Sequence, residues 1–225
     1  IEQIKKAAAI GADAALVITP SFYRPAITQE VLVAHYLAVA DESPIPVVLY
    51  SMPDLTDIKI EPQTAATLST HQNIVGIKDS SSDLAGFSET VRTVSENFSV
   101  LTGNGTVLRD ALRAGARGAI LAVGCIAVDY CVEIHRLAKT AESGKAAAIQ
   151  EKLTPLALAV TTRYGIGGLK AAMDMIGFAG GSVRAPLKPA GEEAWREIAS
   201  LLDALRAIEL SKTEANAEFA GMKKP

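Results

Sequence analysis

The chain has 225 residues, 49% of them hydrophobic and 21% charged, a balance that suits a soluble globular protein with a sizeable buried core and excludes wholesale disorder. Its formal charge of -3, from 22 Lys and Arg against 25 Asp and Glu, gives no global attraction to nucleic acid or to an anionic membrane surface. Small-molecule chemistry or a protein partner remains.

The opening segment, IEQIKKAAAIGADAALV, reads as a helix that Gly11 ends, leading into a first strand in AALVITP at 14–20. A helix from Thr28 to Asp41 follows, with Thr28 as its N-cap. The second strand lies in PVVLYSMP at 46–53, and the next helix runs from Glu61 to Ser69. IVGIKDS at 74–80 gives the third strand, followed by a helix from Asp83 to Ser95. FSVLTGN at 98–104 gives the fourth, then a helix from Thr106 to Ala114 that closes on Gly115, and GAILAVG at 118–124 gives the fifth. None of these runs alternates strictly, as expected of strands buried on both faces of a parallel sheet.

Beyond Gly124 the strand signals stop. Helices are expected over Asp129 to Ala141, Lys145 to Tyr164 with Pro155 as a kink or break, Leu169 to Gly177, and Gly191 to Leu210. The expected organisation is therefore a βα portion over 1–128, a helical C-terminal extension over 129–210 and a polar, frayed tail over 211–225. No apolar stretch reaches the ~20 residues of a membrane span, and the N-terminus carries no signal-peptide pattern. Cys125 and Cys131 lack CxxC spacing and read as reduced intracellular thiols rather than a zinc site. His35, His71 and His135 are scattered over helix and loop positions and read as surface residues rather than metal ligands.

Successive βα units fit either a doubly wound sheet or a (βα)8 barrel. The GxGxxG turn of a dinucleotide-binding sheet is absent, and GNG at 103–105 has neither the third glycine nor the Lys-Ser/Thr of a P-loop. A barrel instead collects reactive side chains at the C-terminal ends of its strands. Here Tyr50 ends the second strand and Lys78 the third, with Thr19, Gly103 and Gly124 at comparable points on the others. A lysine in that position is either a cation that snorkels from an apolar surface or an amine that attacks a carbonyl to form a Schiff base. The second role needs a proton carrier within reach, for which Tyr50 is the candidate.

These residues resemble a known pattern. YSMP at 50–53, Thr56, Ile60, Ile74, Gly76 and IKDS at 77–80 follow one another as in the dihydrodipicolinate synthase/N-acetylneuraminate lyase family of pyruvate-dependent class I aldolases. The likeness extends through VITPSFYRP, LTGNG, GARGAILAVG, GIGGLKAAMDMIGF and RAPLKP, covering nearly the whole chain. Its wording is most similar to the eukaryotic 4-hydroxy-2-oxoglutarate aldolase branch and to fungal 2-keto-3-deoxy sugar acid aldolases.

The resemblance implies a TIM (β/α)8 barrel with a helical C-terminal extension, here lacking the first three βα units. A chain so built would expose its first strand as a parallel edge, and the expectation is a fragment inactive by itself. The implied reaction cleaves a 4-hydroxy-2-oxo acid to pyruvate or glyoxylate plus an aldehyde. Lys78 is the implied Schiff-base lysine and Tyr50 the proton carrier that also orients the 2-oxo acid carboxylate. Ser80 and Gly124 would bind substrate. The second tyrosine of the family, supplied across a subunit contact, aligns with Phe22, leaving neighbouring Tyr23 as the candidate. Where the synthase branch has an arginine for the distal carboxylate of an amino-aldehyde, this chain has Leu55. Dihydrodipicolinate synthase activity (4-hydroxy-tetrahydrodipicolinate synthase) is the alternative, alongside a truncated, inactive paralogue that serves as an oligomer partner. No cofactor and no metal is implied, since the imine polarises the substrate. The expected partners are the 2-oxo acid and further copies of the chain in a tetramer, without nucleic acid or membrane, in the cytoplasm or alternatively the mitochondrion.

Overall fold

A computed structural model describes residues 1–210; the tail expected over 211–225 lies outside the described residues. The chain divides into two compact units, one of Ile1–Asn104 with Asp110–Ile120, the other of Gly105–Arg109 with Leu121 onward.

The first unit holds all five strands. Helix α1 (Glu2–Ala9) leads to β1 (Ala15–Ile18), α2 (Gln29–Glu42), β2 (Val47–Ser51), the single turn α3 (Pro53–Thr56) and α4 (Pro62–Leu68). Then come β3 (Ile74–Asp79), α5 (Leu84–Thr93), β4 (Ser99–Thr102), α6 (Leu108–Arg113) and β5 (Gly118–Ala119). All the strands are parallel and paired in chain order, β1-β2-β3-β4-β5. A doubly wound sheet reverses its order at a switch point. This one never does, so the fold is α/β with the progression of successive barrel units.

Local signals set the helix ends. Thr28 Oγ1 accepts the Val31 amide at 3.4 Å and Asp83 Oδ1 accepts the Gly86 amide at 2.9 Å, each satisfying an orphan donor of a first turn. Gly11, at φ 98°, takes the left-handed conformation that follows α1.

The strands are not buried on both faces as expected. Val47, Leu49 and Ser51 in β2, Ile77 and Asp79 in β3, and Val100 and Thr102 in β4 are buried, while Val48, Tyr50 and Lys78 between them are only half-buried. The reason is one-sided cover. α2 packs on α4 and α4 on α5, and Leu32, Tyr36, Leu68 and Phe87 of these helices join the core. β1 is the barest strand, with Leu16 and Ile18 exposed. The fifth strand is also shorter than expected: it ends at Ala119, and Gly124 lies in the 3-10 turn Val123–Cys125 rather than on the strand.

The second unit is helical. It contains α7 (Val128–Leu137), α8 (Ser143–Leu158), α9 (Gly165–Met175) and α10 (Glu192–Arg206), with α8 packing on α7 and α10, and α9 on α10. Ile134, Leu137, Leu153, Leu156, Ile198 and Leu202 form its core. Pro155 does not break the helix; α8 runs past it to Leu158, and a π-helical turn over Ala159–Arg163 follows. Cys131 in α7 is a free thiol that burial pushes up to about 12, while free Cys125 is exposed. Among the described residues no helix is long and apolar enough to cross a membrane.

Candidate active site

Parallel pairing aligns the strand ends into a row. Ile18 pairs with Tyr50, Tyr50 with Lys78, and Lys78 with Leu101, so one face of the sheet carries these four side by side. The alignment depends on a register shift between Val47 and Val48 in β2; beyond it, Val48 faces Gly76 and Tyr50 faces Lys78. The Lys78 ammonium stands 4.2 Å from the centroid of the Tyr50 ring. That is within the ~6 Å over which a ring face attracts a cation. The two residues singled out as nucleophile and proton carrier are thus direct neighbours.

Ser80 follows in the first turn beyond β3. Its amide donates to the Ser51 carbonyl at 2.9 Å, which extends the strand pairing by one residue. Its hydroxyl is buried and, among the described residues, has no hydrogen-bond partner. Buried hydroxyls are nearly always partnered in folded proteins, so this one stands out beside the candidate nucleophile.

Gly103 lies against both residues. A Cβ at this position would stand 1.9 Å from Ser80 Oγ and 2.6 Å from Lys78 Cε. Only a residue without a side chain leaves the lysine stem and the serine hydroxyl where they are. The glycine is visible in LTGNG, but nothing in that string reports what approaches it.

Asp79 points to the other face and is 8% exposed. Its Oδ1 accepts the Ser81 amide at 2.8 Å. Burial raises its pKa, opposed by that hydrogen bond and by the charge of Lys59.

A buried hydroxyl pair sits beyond β1 and β2. Thr19 Oγ1 donates to Thr56 Oγ1 at 3.2 Å, and Thr56 Oγ1 is 3.0 Å from the Met52 carbonyl, tying down the turn in which Asp57 takes φ 61°. Arg24 pairs with Asp57 at 3.0 Å across the same turn. The loop before Arg24 carries Phe22 and Tyr23, packed edge to face with centroids 4.9 Å apart and exposed at 88% and 72%. Leu55, on α3, is 78% exposed. Gly124 belongs to the helical unit. Of the histidines, His71 Nε2 faces Asp41 at 3.0 Å and its Nδ1 accepts the Asn73 amide at 3.1 Å. Desolvation lowers the pKa of His35, and among the described residues no group of three or more His, Cys, Asp or Glu is placed to hold a metal ion.

Comparison with known proteins gives this geometry its context. The dihydrodipicolinate synthetase family matches residues 1–205. The chain is 34% identical over 206 residues to a protein of Gluconobacter oxydans named 4-hydroxy-tetrahydrodipicolinate synthase, covering 92% of this chain and 68% of that one. A protein of the same name from Methanothrix thermoacetophila is 36% identical over 194 residues, covering 86% and 65%. The chain thus spans about two thirds of the length of these relatives. Among solved structures, dihydrodipicolinate synthase from Thermotoga maritima superposes with a TM-score of 0.85 at 29% identity, over 92% of this chain and 71% of that one. A prophage protein of the dihydrodipicolinic acid synthase family from E. coli, solved in complex with pyruvate, gives a TM-score of 0.82 at 28% identity, over 91% and 70%. On the match across residues 1–205 and the shared fold, the chain belongs to the dihydrodipicolinate synthetase family.

Proposed function

We propose that this chain performs Schiff-base chemistry on a 2-oxo acid, with Lys78 as nucleophile and Tyr50 as proton carrier. The observation that carries the reading is the cross-strand pairing of these residues, with the ammonium 4.2 Å from the tyrosine ring. The unpartnered Ser80 hydroxyl supplies a nearby contact for substrate, and the pyruvate held by the E. coli relative supports a 2-oxo acid as the ligand class.

The amine adds to the C2 carbonyl, and the carbinolamine loses water to give an iminium. Each step moves a proton between nitrogen and oxygen, the task assigned to Tyr50. The iminium then accepts an electron pair from C3. In the condensing direction, the pyruvate iminium loses a C3 proton to become an enamine, whose C3 adds to an aldehyde carbon as the aldehyde oxygen takes up a proton; this restores an iminium that water hydrolyses to free the product and Lys78. In the cleaving direction, the C3–C4 bond of a 4-hydroxy-2-oxo acid breaks, the 4-hydroxyl proton departs and an aldehyde leaves. The enamine is then protonated at C3, and water releases the 2-oxo acid and free Lys78.

Both finer readings use the same lysine. The names of the curated relatives favour condensation, as in 4-hydroxy-tetrahydrodipicolinate synthase. Aldol cleavage of 4-hydroxy-2-oxoglutarate or a 2-keto-3-deoxy sugar acid is the second reading, favoured by Leu55 where the resemblance calls for a carboxylate-binding arginine. Exposed Phe22 and Tyr23 fit a loop received by a second copy in an oligomer, and Gly124 stays a pocket candidate on resemblance alone.

The test is to incubate the chain with pyruvate, reduce with borohydride and map the adduct by peptide mass. An adduct on Lys78 is expected of this chain, in place of the inactivity that the resemblance implied; none, or one confined to another lysine, defeats the proposal. Assay with pyruvate plus an amino-aldehyde, against 4-hydroxy-2-oxoglutarate alone, then separates synthase from aldolase.

A further inference from the structure

The segment Ser80–Asp83 carries the unpartnered hydroxyl away from β3 and into α5. Its near end is well held. The Ser80 amide bonds to Ser51, the Ser81 amide to Asp79 Oδ1, and the Ser81 carbonyl accepts Asn104 Nδ2 at 3.3 Å. Its far end rests on Asp83, whose two carboxylate oxygens have different tasks. Oδ1 caps α5 through the Gly86 amide at 2.9 Å, while Oδ2 accepts Lys59 Nζ at 2.7 Å.

Lys59 comes from a different connection, the one between α3 and α4, and its own backbone is fixed. Its carbonyl accepts Gln29 Nε2 at 3.0 Å, and the next amide, of Ile60, donates to Ser51 Oγ at 3.3 Å. Glu61 lies 3.6 Å from the same ammonium. Gly86 leaves room for the pair, because a Cβ there would stand 2.4 Å from Asp83 Oδ2 and 3.1 Å from Lys59 Nζ. Charge works in the same sense as geometry: the Gly86 amide, and after it Lys59, lower the Asp83 pKa, keeping the carboxylate charged for the cap and the ion pair.

We propose that Lys59 is a positioning residue: its ion pair with Asp83 fixes the far end of the Ser80–Asp83 segment and so fixes where Ser80 Oγ stands beside Lys78. The proposal rests on the Schiff-base role given above to Lys78. A part-exposed ion pair contributes little to global stability. Its signature is therefore local, in the order of one loop, and catalytic, since displacing a reacting or aligning group by about 1 Å slows reactions by as much as about 100-fold.

The experiment compares Lys59→Met and Lys59→Arg with the unaltered 225-residue chain. Amide hydrogen exchange at Ser81, Asp83 and Gly86 should accelerate by about tenfold in Lys59→Met and return toward the original rate in Lys59→Arg. The maximal rate of borohydride-trapped pyruvate adduct should fall by about tenfold in Lys59→Met, with the half-saturating pyruvate concentration little changed. On a Ser80→Ala background the same substitution should have no further effect on trapping, because the group it positions is gone. Unchanged exchange at the three amides overturns the strap whether or not any adduct forms. An undiminished tenfold loss on the Ser80→Ala background refutes action through Ser80. If the unaltered chain forms no adduct, the Schiff-base reading falls, and with it the claim that Lys59 serves Lys78; the exchange data still report on the loop by itself.

Discussion

Gly103→Ala tests the steric account of the site most directly. The added methyl would stand 1.9 Å from Ser80 Oγ, 2.6 Å from Lys78 Cε and 3.0 Å from Ser80 Cβ. Non-bonded carbon atoms settle at about 3.5–4.0 Å, so the end of the lysine stem must retreat by about 1 Å and the serine hydroxyl by more. Gly103 does not occupy the left-handed region, so alanine adds no backbone strain and the response falls on these two side chains. A displacement of about 1 Å at a reacting group lowers the rate by about 100-fold, equivalent to about 2.7 kcal/mol on the barrier. The stability loss from overpacking should be about 1 kcal/mol, at the low end of its range, because the crowded atoms are ends of side chains rather than backbone. The assay is the rate of borohydride-trapped adduct at saturating pyruvate, with a thermal melt as control. Adding Ser80→Ala removes the closest contact but not the one at Cε, so the double variant should regain only part of the rate. A Gly103→Ala chain that traps pyruvate within threefold of the original would refute the claim that the glycine keeps Lys78 in place.

Tyr50→Phe keeps the ring beneath the Lys78 ammonium and removes only the hydroxyl; adduct formation should slow by about 100-fold or more with the melting temperature unchanged, and a full rate would remove Tyr50 from proton transfer. Asp79→Asn probes the buried carboxyl. Because burial raises its folded pKa, the native state retains a proton that the unfolded chain has released, so this group's contribution to stability is lost as pH rises through the folded pKa. Asparagine retains an acceptor for the Ser81 amide and never ionises. The stability of Asp79→Asn relative to the original chain should therefore increase between about pH 4 and pH 7 in denaturant melts; a difference that stays flat or declines contradicts the assignment.

The βα order was legible because it rests on local signals. Runs of β-branched residues locate the strands, Thr28 and Asp83 announce helix starts through side chains that cap the amides of Val31 and Gly86, and Gly11 marks the turn after α1. What local signals misjudge is cover. Half-buried Tyr50 and Lys78 alternate with fully buried Leu49 and Ile77, yet all four fall in apolar runs that read as buried throughout. GAILAVG reads as one strand, but only Gly118 and Ala119 pair with β4. Pro155 misleads for a related reason. A proline inside a helix loses one hydrogen bond, and in α8 flanking Leu153 and Leu156, both fully buried, hold the helix through it.

The candidate site divides along the same line between local and long-range information. Lys78 and Tyr50 were visible as strand ends, but their adjacency depends on a register shift in β2, which no residue in PVVLYSMP announces. Ser80 was implied only by the resemblance; that its hydroxyl is buried with no partner among the described residues depends on how β3, β4 and Gly103 meet. Lys59 was not visible at all, since it finds Asp83 across 24 positions of chain and across two connections whose lengths carry no periodic signal. Chemistry-bearing residues at strand ends follow from the order of the strands, which the sequence encodes locally. Their alignment follows from contacts between connections, which it encodes only through the fold. If the proposed chemistry is right, its machinery at Lys78 and Tyr50 should fail when either is replaced, whereas its precision should fail when Gly103 or Lys59 is replaced and the machinery is left whole.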